Sequence, residues 1–121
     1  MSAAKRRPTR ESTAALGADG TSVPLPAGVE ACLAAAGLAA TRNGAQSGAF
    51  ELTVVLGSGE RPRILVFVTE GAAAAHARNV ERLVRAAGRR DATVIARRRT
   101  VVGTWPAAIP RGDARRLRRC L

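Results

Sequence analysis

The run Ile64-Leu65-Val66-Phe67-Val68 constrains this chain more than any other stretch. It is the longest series of large apolar residues, and its β-branched and aromatic content reads as a strand. Apolar side chains at both parities read as a strand that is buried on both faces or lies at the centre of a sheet. Thr69-Glu70 follow at once, an N-cap residue and a first-turn acid, and they open the longest helical pattern in the chain. A central strand feeding straight into a helix sets the architecture. It carries no catalytic or ligand motif.

The flanking segments fill in the rest. A helix is expected over 27–36, with Val29, Cys32, Leu33 and Ala36 on one face and Gly37 as its stop. Residues 38–42 read as a weak strand and 43–48 as a turn. Phe50 to Leu56 alternate, with Glu51 and Thr53 outward, and Gly57-Ser58-Gly59-Glu60 forms a hairpin loop into the central strand. The long helix covers about 70–87 and stops at Gly88. Its inner stripe is Ala73, Ala77, Val80, Leu83, Val84 and Ala87, while Arg78, Glu81, Arg82 and Arg85 face out. Two strands follow at 93–97 and 100–105, turning at Arg98-Arg99. No Gly or Asn marks that turn, so one long strand is the alternative. A last helix spans 111–120.

Residues 1–26, rich in Ser, Thr, Gly and Pro, read as a disordered basic arm. Residues 27–121 make one domain of order α-β-β-β-α-β-β-α. That order gives an α+β two-layer sandwich, an antiparallel sheet with helices on one face. The layout looks like ferredoxin-like or related small domains.

Charge is the second constraint. The chain carries 20 Lys+Arg against 9 Asp+Glu, a net +11, and Lys5 is its one lysine. A GC-rich coding bias explains Arg in place of Lys but not the excess of base over acid. Sixteen bases face seven acids within 27–121, so the excess belongs to the folded part. Such a surface attracts polyanions. Arg97, Arg98 and Arg99 cluster at the expected turn, Arg89 and Arg90 precede that strand, and Arg115, Arg116, Arg118 and Arg119 crowd the last helix. If these patches coincide they form a phosphate-binding surface that positions a backbone but reads no bases. The bland alternative is a solvated face whose arginine stems roof a thin core. Aromatics are only 2% of residues, which argues against the stacking platforms of single-strand binders.

The two cysteines, Cys32 and Cys120, both fall on inward faces of terminal helices by the 100° rule. They either meet in a disulfide, worth roughly 4 kcal/mol by loop closure, or stay two separate buried thiols. There is no C-x-x-C motif, and two Cys with one His fall short of a structural metal site. The dipeptides Cys32-Leu33 and Cys120-Leu121 resemble those of a loose group of small uncharacterised actinobacterial α+β proteins. That resemblance spans about 27–121. It implies an α+β fold and a cystine, and brings no known activity.

The remaining candidates have ordinary explanations. His76 borders the inner stripe with no partner set by spacing, and Gly57-Ser58-Gly59 lacks the lysine and spacing of a phosphate loop. The acids are explained as caps or exposed faces, so no catalytic residue and no cofactor are expected. No apolar run approaches a membrane span. Lys5-Arg6-Arg7 lack a following apolar segment, which reads as a cytoplasmic chain, export remaining open if the start is misassigned. The expectation is a non-catalytic basic domain that binds nucleic acid or another polyanion through arginine–phosphate contacts. The alternative is a disulfide-stapled, exported domain working through protein contacts. An exposed sheet edge would suit a homodimer.

Overall fold

The computed structural model describes residues 26–46 and 48–121. The expected arm therefore lies outside the described residues, apart from Pro26. That proline opens the first helix, α1 (Pro26–Ala35), where its missing N–H costs nothing. The strands are β1 (Ala39–Gln46), β2 (Ala49–Val55), β3 (Arg63–Phe67), β4 (Thr93–Arg98) and β5 (Val101–Pro106). The other helices are α2 (Glu70–Ala86) and α3 (Arg111–Arg119). The class is α+β, in the order read from the sequence. Among the described residues no helix is long and apolar enough to cross a membrane.

The sheet is antiparallel throughout, in the order β1-β2-β3-β5-β4. β3 is the central strand, paired with β2 on one side and β5 on the other. Its side chains divide by parity, as the period of a strand requires. Ile64 and Val66 join one core with Leu52, Val54, Val101, Trp105 and residues of α1 and α3. Leu65 and Phe67 join a second core with Ala49, Val102 and residues of α2. Val68, 74% exposed, lies past the strand.

That division corrects the expected layering. The helices do not share one face: α1 and α3 cover one, α2 the other. The unit β3-α2-β4 is a split crossover, with β5 filling the gap between its two parallel strands. It supplies one half of a ferredoxin-like arrangement. The flanking helices α1 and α3 take the opposite face because Ile64 and Val66 need cover as much as Leu65 and Phe67 do.

Local chemistry fixes the helix ends. The Thr69 hydroxyl accepts a hydrogen bond from the Ala72 N–H at 3.1 Å, capping α2. At its other end Gly88 (φ +70°) lets Arg89 N–H reach the Val84 carbonyl at 2.9 Å and Gly88 N–H reach that of Arg85 at 3.1 Å. This is a Schellman closure. α1 ends the same way at Gly37, and there the buried pair Leu33 and Leu38 supplies the accompanying apolar contact. Only Ala73 of α2 is fully buried; Leu83, expected inside, is 62% exposed. The apolar arc of α2 is wider than the strip of sheet beneath it, and Leu83 overhangs.

Two strand boundaries also differ. β1 runs on through the expected turn to Gln46, with a register shift between Arg42 and Ala45 that accommodates Asn43 and Gly44. The β4–β5 connection is a two-residue turn at Arg99-Thr100, since Arg98 pairs with Val101. Arg99 supplies the left-handed position (φ +56°), and its carbonyl accepts from Arg97 Nη1 at 3.1 Å. Within β5, a Cβ on Gly103 would lie 2.6 Å from the ring of buried Trp105, so only glycine fits.

Cys32 and Cys120 lie at bonding distance, with an S–S separation of 2.08 Å, and join α1 to α3 across the first core. They close a loop between residues 88 apart in sequence, nearly the whole described domain. Loop closure of that length is worth about 4 kcal/mol. We expect the double variant Cys32→Ser/Cys120→Ser to lose about 15–30 °C in Tm under non-reducing conditions. A fall of only about 2–3 °C in calorimetry would show that the bond contributes little.

Candidate anion-binding groove

The groove lies between α2 and the edge strand β4. On β4, Val94 and Ala96 point into the first core, so Thr93, Ile95 and Arg97 point toward α2. On α2, Ala74, Ala77, Arg78 and Glu81 occupy the flank that faces β4. Between them lies a cleft of about 290 Å³, its third wall supplied by Arg90 of the 3₁₀ turn Arg90–Ala92. Its lining combines the apolar Ala74, Ala77 and Ile95 with Arg78, Arg90 and Arg97. A second cleft, about 200 Å³, adjoins it along α2 and is lined by Arg78, Glu81, Arg82 and Arg85.

Glu81 organises this charge. Its carboxylate accepts from Arg85 Nη2 at 2.9 Å and lies 3.5 Å from Arg90 Nε. Arg97 is braced by its bond to the Arg99 carbonyl. Among the described residues Arg78 makes no ion pair. Each of these groups is partly exposed, so each pair adds under about 1 kcal/mol to stability. Their effect is on where the positive charge is held.

The seven arginines singled out in the sequence do not form one surface. Arg97 faces α2. Arg98 pairs with Val101, whose side chain belongs to the first core, so it points to the other side of the sheet. Arg115, Arg116, Arg118 and Arg119 ride on α3, also on that other side. Arg116 is ion-paired to Asp113, and the Arg118 guanidinium sits 5.6 Å from the centroid of Trp105. Arg115 and Arg119 are exposed. What the sequence reading missed is that Arg78 of α2 joins Arg90 and Arg97. Each was visible alone, on a helix face, before a strand and in a strand. The missing information was that α2 crosses β5 to lie against β4.

The aromatic residues are spoken for. Phe67 and Trp105 are buried, and Phe50, 38% exposed, has the Arg42 guanidinium 5.7 Å from its ring centroid. Among the described residues no three His, Cys, Asp or Glu side chains gather as a metal site. No family model, curated protein sequence or solved structure matches the chain.

His76 lies on the opposite flank of α2, its ring 5.2 Å from that of Phe67. Burial, with a smaller contribution from the Arg63 guanidinium, lowers its pKa from the ordinary 6.5. Arg63 itself donates to the buried Glu51 carboxylate at 2.8 Å. Because the folded chain resists protonating His76, its contribution to stability is complete above the unfolded pKa and is lost as pH falls through the folded one. Carboxylates contribute little above about pH 5.5. The urea midpoint should therefore drop between about pH 7.5 and 5.5, and drop less in His76→Gln. An identical pH profile for the two proteins would contradict the burial assignment.

Proposed function

We propose that this is a non-catalytic basic domain that binds nucleic acid or a similar polyanion through arginine–phosphate contacts, without reading bases. The observation that carries the proposal is the convergence of Arg78, Arg90 and Arg97 on the groove between α2 and β4. Arg82 and Arg85 continue the same charge along α2. Four of the described acids are already neutralised by arginine: Glu30 by Arg42, Glu51 by Arg63, Glu81 by Arg85 and Arg90, and Asp113 by Arg116. Arg78 and Arg97 are exposed and pair with none of these acids. Such groups grip phosphate oxygens in any sequence and supply the salt-dependent part of binding. With Phe67 and Trp105 buried and only Phe50 partly exposed, a backbone grip is favoured over base stacking.

The α3 arginines form a separate cationic surface on the other side of the sheet. Arg115 and Arg119 add long-range attraction, whereas Arg116 and Arg118 are engaged with Asp113 and Trp105. A second reading draws support from the Cys32–Cys120 pair: a stapled domain, exported from the cell, acting through protein contacts.

Fluorescence anisotropy with unrelated DNA and RNA oligomers, titrated from about 50 to 300 mM salt, separates the two. We expect binding near physiological salt and similar affinities across sequences. Arg78→Gln/Arg97→Gln should lower the log–log salt slope on duplex by about 2, and Arg115→Gln/Arg119→Gln by less. Binding that vanishes for every oligomer by about 100 mM would leave the charge as background and favour the second reading.

A further inference from the structure

The groove carries more positive charge than an internal phosphodiester requires. Three arginines line it, Arg78 from a helix, Arg90 from a 3₁₀ turn and Arg97 from a strand. Among the described residues Glu81 is the only acid lining it, which leaves two positive charges uncompensated. An internal phosphodiester carries one negative charge. A phosphomonoester carries about −1.5 to −2 at neutral pH and offers three acceptor oxygens. The cleft of about 290 Å³ has room for a phosphate group and part of what it is attached to. Ala74, Ala77 and Ile95 give that attached organic part an apolar lining, and Thr93 lines the same cleft.

We propose that the groove is a site for a phosphomonoester dianion. The ligand is either a terminal phosphate of a nucleic acid strand or a free phosphorylated small molecule. The terminal-phosphate version rests on the polyanion reading given above; the small-molecule version stands without it. In the first case the arginines along α2 hold the adjoining internal phosphates, and the groove holds the end. Guanidinium suits this task because its planar fork can bond two phosphate oxygens at once.

The test compares two single strands of one sequence, one ending in a 5′-phosphate and one in a 5′-hydroxyl. Inorganic phosphate and a nucleoside monophosphate serve as competitors, all at about 100 mM salt. We expect the phosphorylated strand to bind about tenfold tighter. That ratio should disappear in Arg78→Gln/Arg97→Gln and persist in Arg115→Gln/Arg119→Gln. Both double variants alter exposed positions, and circular dichroism checks that they fold. If neither strand binds but the monophosphate does, and Arg97→Gln abolishes it, the polyanion reading fails. The groove proposal then stands, with a free phosphorylated molecule as ligand. If both strands bind equally and the monophosphate does not compete, the groove proposal is wrong and the general polyanion reading survives. A preference retained in the Arg78/Arg97 variant likewise overturns it.

Discussion

The structure depends on a strand that has no solvent face. Ile64 and Val66 point one way and Leu65 and Phe67 the other, so β3 must be covered on both sides. A sheet covered on one side would leave one of these pairs in water, forfeiting about 1.5–3 kcal/mol for each large side chain. Two layers of helix follow from that requirement. α2 covers the side of Phe67, and α1 with α3 covers the side of Ile64. The Cys32–Cys120 bond then ties together two short helices, of 10 and 9 residues, that would be marginal alone.

The same requirement places the charge. α2 leaves β3 at Thr69 and must return to a parallel strand, with β5 between. It therefore crosses to the far edge of the sheet and lies against β4. Alanines at 74 and 77 keep that contact close and line the groove. An edge strand has one free side, and arginine there discourages pairing with other chains as well as attracting anions. The groove is thus a by-product of how the second core is closed, and its arginines sit on a helix, a 3₁₀ turn and a strand.

Much of this was legible in the residues. Thr69 and Gly88 marked the ends of α2, Gly37 the end of α1, and the helical spacing of Cys32 and Cys120 put both sulfurs inside. Parity along Ile64 to Phe67 was compatible with two buried faces or with a central strand, and the element order by itself does not say how helices are shared between the faces. Asn43 and Gly44 looked like a turn because a bulge uses the same residue types. The β4–β5 turn was read one residue early, at Arg98-Arg99, because arginine rarely takes the positive φ that Arg99 adopts. Gly103 gave no signal, since its reason is a ring two residues away that packs over it. The anion groove was invisible for a deeper reason: its arginines are brought together by a crossover, and no local spacing records that.

The most direct measurement is a map of amide and arginine side-chain NMR shifts as an oligonucleotide is added to the disulfide-intact protein. The account predicts that the largest shifts fall on Ala74, Ala77, Arg78, Arg90, Ile95 and Arg97, with α3 nearly unmoved. Shifts centred on Arg115 and Arg119, or spread evenly over both faces of the sheet, would contradict it.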